Sequence, residues 1–481
     1  MKTKICIVFI IIFFAAGALY AQDIRKPTAA GGFYPDKPEE LRGMIKSYLA
    51  EAEYRQFDGK LHAVIVPHAG YVYSGKVAAE AYRQLEGKKY DAIVIVTPSH
   101  YESFLEISIY PGDGLKTPLG VVNIDKELAE KIEKSAEIVS FSKRGYGQEH
   151  SLEVQLPFLQ TVLPNTPVVP LVMGYQNFSF SYTLGTALGE ALKDANVLLI
   201  ASSDLSHFHP YDEAVRMDSE VIDAIRNYDP FLLSQNIFSR RWEACGGGPI
   251  VAVMVAAQVL GANSVEIMQY ANSGDVTGDK SSVVGYVSAA ITSKPPKSQQ
   301  YSGEEREILL NIAREAVENS VRGKALPPLT SLPGPLTRKS GAFVTLKIDG
   351  TLRGCIGEVF ADKSLAFAVQ STAVKSALKD TRFKPVIEEE LSKLEYEISV
   401  LSPLRLLENT DEIVLGKHGL LLINGNYSGL LLPQVPVENN WNRQEFLAYL
   451  SLKAGLPQDA WKYPNTMLFL FSAEVFGKDK M

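Results

Sequence analysis

Between residues 62 and 292, short apolar runs alternate with helix-like stretches, and this alternation restricts the possible folds more than any other feature. The runs are His62-Ala63-Val64-Ile65-Val66, Ala92-Ile93-Val94-Ile95-Val96, Val168 to Met173 and Val197 to Ala201. Each is continuous and rich in β-branched residues, as expected of strands covered on both faces. Gly75 to Leu85, Lys126 to Ser135 and Leu184 to Lys193 carry helical spacing between them. The pattern predicts an α/β domain with a mostly parallel sheet flanked by helices. Two late runs, near 264–271 and 281–291, complete or extend that sheet.

The chain's 481 residues leave room for a second domain. With 46% hydrophobic and 21% charged residues, both halves can bury a core. A formal charge of −7 argues against a nucleic-acid binder, which normally shows a basic surface. Lys2 and Lys4 precede an apolar run, Ile5 to Phe14, and then the small residues Ala15-Ala16-Gly17-Ala18. Residues 1–21 read as a secretory signal peptide, cleaved after Ala21 or alternatively after Ala18. An uncleaved anchor is the alternative, but the run is short of the roughly 20 residues a membrane span needs. The expectation is therefore an exported protein, periplasmic or extracellular, with no stable membrane span after cleavage. Signal removal leaves Cys245 and Cys355, too few for a disulfide scaffold.

The first domain is expected over 24–293. Residues 294–303 are polar with two prolines and read as a linker. An α+β domain follows over 304–478. It opens with an amphipathic helix, Glu304 to Val321. Asp349-Gly350 then joins Phe343–Ile348 to Thr351–Ile356 as a hairpin, and Asn424-Gly425 marks another. Helices at 363–379 and 442–454 and a strand at 466–475 complete it. Two independent apolar patterns imply domains that fold separately.

Three strands of the first domain end in polar residues: Pro67-His68-Ala69-Gly70-Tyr71, Thr97-Pro98-Ser99-His100, and Ser202-Ser203-Asp204-Leu205-Ser206-His207. Ligands of open α/β sheets bind outside the carboxyl ends of the strands. A lone histidine is usually structural, but three at matching strand ends favour a site. Cys245 precedes Gly246-Gly247-Gly248-Pro249 and the apolar helix Ile250 to Leu260. A helix start there would favour its thiolate, and the glycines would let backbone approach a ligand closely. A buried structural thiol is the alternative. Glu149, His150 and Glu153 read as a helix start with the two glutamates on one face, placed to orient ligand imidazoles or simply solvated. In the second domain Arg353 could hold an anion and Cys355 could be a nucleophile, with His418 the one histidine available. A tight strand end with a buried thiol is the alternative there.

The stretches Pro67–Tyr71, Pro98-Ser99-His100, Glu149-His150-Ser151-Leu152-Glu153, Ser202–His207 and Cys245-Gly246 resemble the Memo family in order and spacing. That family resembles the class III extradiol dioxygenases, which hold non-haem iron with two histidines and a glutamate. The resemblance implies His68, His100 and Cys245 as metal ligands, with Asp204 and His207 beside them as acid–base or ligand-supporting groups. Cysteine stands where the dioxygenases have a carboxylate, a departure that bears on their chemistry. The run Gly246–Gly248 replaces bulkier residues of animal Memo proteins, which would open the pocket. Leu352-Arg353-Gly354-Cys355-Ile356-Gly357, Gly419–Leu422, Leu432–Val435 and Phe471–Phe476 resemble the AMMECR family. The two families occur beside a radical S-adenosylmethionine protein, the partner the resemblance implies. It further implies one metal ion, iron first and copper or zinc as alternatives, in a redox or oxygen-handling enzyme acting on a small molecule. A non-catalytic metal-binding or interaction module of the same system is the second reading.

Overall fold

The structure, a computed structural model, describes residues 22–477 except 58, 294–300, 361–362, 408, 426 and 464. The expected signal peptide, residues 1–21, and most of the linker therefore lie outside the described residues. No helix among the described residues is long and apolar enough to cross a membrane.

Four strands form the centre of the first domain: β1 (Leu61–Val66), β2 (Ala92–Pro98), β3 (Val168–Met173) and β4 (Val197–Ser202), all buried throughout. They are parallel, in the order β1-β4-β2-β3, so their carboxyl ends share one edge. The two-residue strand period divides their side chains between two cores. Ala63, Ile65, Val94, Val96, Leu199 and Ala201 face one; Val64, Val66, Ile93, Ile95, Leu198 and Ile200 face the other. Helices cover both faces. On the second core lie α1 (Pro38–Glu51) and α2 (Tyr71–Tyr82); on the first lie α3 (Phe178–Ala191), α4 (Tyr211–Arg226), α5 (Pro230–Phe238) and α6 (Gly247–Val259).

The sheet is mixed rather than mostly parallel. β6 (Val283–Thr292) runs antiparallel to β1, and β5 (Ser264–Asn272) antiparallel to β6. Residues 273–282 are too few for the crossover that parallel neighbours need, so a hairpin forms. Short strand Ile107–Ile109 is likewise antiparallel to β3.

The second domain is α+β. Its antiparallel sheet has the order β8 (Thr351–Glu358), β7 (Ala342–Ile348), β9 (Leu394–Leu401), β12 (Met467–Gly477), β10 (His418–Asn424), β11 (Tyr427–Leu431). Asp349 and Gly350 both have positive φ, 50° and 72°, as the expected hairpin turn requires. α7 (Gly303–Val321) starts at a capping box of Ser302 and Glu305 and packs with α8 (Leu365–Leu378) on one face of the sheet.

The expected independence of the domains meets an apolar interface. Phe469, fully buried, lies with ring centroids 4.9, 6.0 and 6.2 Å from Phe231, Tyr182 and Phe178. Phe360 stacks on Phe231 at 5.4 Å, and Lys339 pairs with Glu220 of α4 at 2.6 Å. The faces that close here would otherwise expose aromatic surface to water.

Candidate metal centre

The shared carboxyl edge of the central strands gathers the polar residues. β1 runs into His68, β2 into His100 and β4 into Asp204. Cys245 arrives from the loop before α6. One donor atom each from His68, His100 and Cys245 lie within 4.8 Å of one another. Cys245 Sγ is 3.1 Å from His68 Nε2.

The surrounding hydrogen bonds decide which ring nitrogens carry lone pairs. Ser202 Oγ donates its only proton to the Ser151 carbonyl (2.8 Å), so towards His68 Nδ1, 2.9 Å away, it can only accept. The proton of neutral His68 therefore sits on Nδ1, and Nε2 turns its lone pair towards the Cys245 sulfur. His100 Nδ1 lies 2.9 Å from Glu149 Oε1, and a carboxylate only accepts, so the proton of neutral His100 likewise sits on Nδ1 and leaves Nε2 unprotonated. His207 Nδ1 donates to the Leu205 carbonyl at 2.8 Å, with the same result. This is the tautomer that metal-ligating histidines adopt when the other nitrogen is held by a carbonyl, hydroxyl or carboxylate.

Burial, joined by the charges of neighbouring histidines, holds His68 well below the ordinary histidine range. Burial acts in the same direction on His150, at about 4. Burial pushes Glu149 upward, but the His100 ring and backbone bonds overcome it and hold the carboxyl at about 2. Asp204 is raised to about 6 by burial, against the pull of the His68 N–H bond at 2.8 Å. The Cys245 thiol is pushed up by burial and then by Asp204. This outweighs the helix-start effect expected from the sequence, although the Asp204 N–H does donate to the sulfur at 3.2 Å.

Several local expectations change. α6 starts at Gly247, so Pro249 is its third residue. The three glycines bring the loop close against neighbouring protein. An added Cβ at Gly246 would lie 2.2 Å from the Ser202 carbonyl, and at Gly247 and Gly248 it would meet Ile237 and Gln176. Glu149 precedes the helical segment, which begins as a short 3-10 turn at Glu153. Glu149 orients His100, whereas Glu153 faces away and binds Arg25 and the amino-terminal segment. His207 borders the same loop as Asp204, and its backbone N–H reaches Glu243 at 3.3 Å. His150 lies beside His100, with ring centroids 4.8 Å apart, and its buried Nδ1 has no hydrogen-bond partner.

In the second domain Arg353 makes two 2.8 Å bonds to Glu390, so its charge is already neutralised. Cys355 accepts from Thr345 Oγ1 at 3.2 Å, and burial raises its thiol. His418 is on β10 and Cys355 on β8, with three strands between them. At about 4.8 Å per strand they are roughly 19 Å apart across the sheet, and the register offsets them further along it, Cys355 aligning with Gly477 and His418 with Ser472.

The sequence reading missed Gln155 and Ser202 as supports. Gln155 Nε2 donates to Ser202 Oγ at 2.8 Å and to the Pro67 carbonyl at 3.0 Å, which fixes the hydroxyl that sets the His68 tautomer. Ser202 stood in a quoted motif, where its strand-end position was the available signal; Gln155 carried none.

The family model described as Memo-like protein matches residues 25–290, and the AMMECR1 model matches 310–476. A MEMO1 family protein of Methanobrevibacter smithii is 37% identical over 278 residues, covering 55% of this chain and 98% of that protein. One from Methanosarcina barkeri is 38% identical over 273 residues, covering 56% and 100%. One from Aquifex aeolicus is 38% identical over 265 residues, covering 55% and 97%. Among solved structures, an uncharacterized protein from Pyrococcus horikoshii is 41% identical, covers 37% of this chain and 94% of its own, and has a TM-score of 0.36. An uncharacterized Escherichia coli K12 protein is 16% identical, covers 48% and 100%, and has a TM-score of 0.37.

Proposed function

The chain belongs to the Memo-like family and carries an AMMECR1 domain in the same polypeptide, and from that premise we propose that its first domain is an exported metal-dependent redox or oxygen-handling enzyme. The observation that carries the reading is the convergence of His68, His100 and Cys245 to within 4.8 Å at the carboxyl edge of the sheet. The donor set fits a metal ion: two imidazole Nε2 lone pairs and a sulfur, with Nδ1 of both rings already engaged. Iron is the first choice, by the resemblance of the Memo family to class III extradiol dioxygenases, whose layout we assign to this domain. Copper and zinc accept the same thiolate and imidazole donors. Such an ion, when bound, supplies electron transfer or Lewis acidity and an open position for substrate or water.

The chain's own residues supply the rest. Glu149 and Ser202 orient the two imidazoles. Asp204, shifted upward to about 6 by burial, exchanges its proton closer to neutrality than an ordinary carboxyl does, beside the donors. His207, with Nδ1–H given to Leu205, keeps Nε2 free to accept one. These two are the acid–base residues of the reading, and the substrate is a small molecule.

A second reading, a metal-binding interaction module working with a radical S-adenosylmethionine protein, draws on the exposure of Val72, Tyr73, Tyr101 and Phe208. These large apolar residues follow the site histidines in sequence, and exposed apolar surface of this kind serves partner binding. Metal analysis of untagged protein purified anaerobically tests the first reading. One metal ion per chain is expected, lost in Cys245→Ala and in His68→Ala. Metal-free protein that takes up none of the three metals would refute it.

A further inference from the structure

The amino-terminal segment Arg25 to Tyr34 packs against the loops of the site through its buried residues Arg25, Ala29 and Tyr34. Its anchor is Glu153, whose side chain is fully buried. Glu153 accepts from Arg25 Nη1 (2.7 Å), the backbone N–H groups of Thr28 and Ala29 (both 2.8 Å at closest), and Tyr34 OH (2.7 Å). Arg25 also donates to the Glu149 carbonyl at 2.8 Å, so the segment is tied to the backbone of the residue that holds His100. At its other end the Phe33 carbonyl accepts from Tyr71 N–H at 2.7 Å, at the start of the helix that follows His68. The segment therefore bridges the two loops that carry His68 and Glu149-His150.

This anchoring places one aromatic ring. Phe33 stacks on His150, with centroids 4.2 Å apart and planes inclined by 24°. His150 stacks in turn on His100, at 4.8 Å and 28°. The result is a three-ring column: Phe33, His150, His100. Glu149 grips His100 through Nδ1 and the backbone N–H, and the ring packed on the face of His100 adds a further restraint to its orientation. Nδ1 of His150 is buried 3.6 Å from Glu149 Oε1 without forming a hydrogen bond, so stacking contributes to that ring's placement where a hydrogen bond does not. Offset-stacked rings gain attraction beyond their buried area, and they do so only at a defined separation.

We propose that Phe33 is a positioning residue for the metal centre, acting through His150 on His100, and that the segment 25–34 is a wall of the site held in place by Glu153. The inference rests on the metal reading above. Its test is anaerobic competition titration of Fe(II), Cu(I) and Zn(II), each alone, into metal-free full-length protein. The variants are Phe33→Leu, which keeps apolar bulk but removes the ring, and Phe33→Tyr, which keeps it. For the metal bound by the parent, Phe33→Leu is expected to weaken affinity about ten-fold, the low end for residues that support ligands. Phe33→Tyr should match the parent, and the thermal midpoint of the metal-free Leu variant should stay near the parent's. In a His150→Ala background the Leu substitution should have no further effect, because the ring it acts through is gone. Parent-like affinity in Phe33→Leu overturns the proposal, and so does an equal loss in the His150→Ala background. If the parent binds none of the metals, the metal reading itself has failed and the proposal falls with it.

Discussion

Replacing Glu149 with Gln keeps the shape of the side chain, removes its negative charge and turns one of its two terminal acceptors into a donor. In the parent, three N–H groups converge on the carboxylate: His100 Nδ1 at 2.9 Å, His100 N at 2.7 Å and Ser151 N at 3.0 Å. Gln offers one accepting oxygen. Placed at the Oε1 position, that oxygen retains His100 Nδ1 and Ser151, but the amide nitrogen then faces the His100 backbone N–H, donor against donor. A hydrogen bond to a charged acceptor is worth about 1.5–3 kcal/mol, and the side chain is nearly inaccessible, so water cannot replace it. At about 1.4 kcal/mol per factor of ten, a loss of that size, carried from the displaced His100 backbone to its ring, corresponds to at most about ten- to one-hundredfold weaker metal binding. The estimate agrees with the range seen for residues that orient ligands. Because the Glu149 carboxyl titrates at about 2, the deficit should be constant across neutral pH. The assay is anaerobic metal competition on the metal-free variant, with thermal unfolding recorded alongside. Metal affinity indistinguishable from the parent's would refute the claim that Glu149 orients His100 for coordination.

Asp380→Asn should destabilise the protein by about 1 kcal/mol near neutral pH, since the Arg382 partner is half-exposed and its contribution is screened. The Arg382 guanidinium beside Asp380, helped by the Cys355 N–H, holds the folded-state carboxyl at about 2, below its ordinary 3.8. The stabilisation is therefore present above about pH 4 and is lost as pH falls towards 2; urea unfolding of both proteins at several acidic pH values should show the gap closing, and a gap constant with pH would contradict the assignment. Residues 22–293 expressed alone should bind an apolar dye and unfold at a lower temperature than the first domain does in the full chain, because Phe178, Tyr182 and Phe231 lose Phe469 and Phe360. After proteolysis within the linker the two halves should still elute together on gel filtration; separate elution with unchanged thermal midpoints would show that the interface contributes nothing.

Local pattern was sufficient for a good part of this molecule. The four buried apolar runs became β1 to β4 because a continuous β-branched run is stable where both sheet faces are covered, a property of each run and its immediate neighbours. The Asp349-Gly350 turn was equally legible, since positive φ at both positions is a demand on two adjacent residues. The strand-end rule also drew attention to His68, His100, Asp204 and His207 before any contact was known. Strand direction was less accessible: the antiparallel outer strands follow from connection length, which turns 273–282 into a hairpin. Tertiary structure alone decided the rest. Which ring nitrogens are free depends on Ser202, Ser151 and Gln155 meeting His68 across separations of more than fifty residues. The role of Glu153, one helical turn from Glu149 in sequence, was decided by an arginine 128 residues away. The thiol of Cys245 responds to burial and to Asp204 more than to the helix that follows it. A hydrogen bond or a desolvated charge depends on the atoms within a few ångströms, and in this fold most of those atoms come from distant parts of the chain.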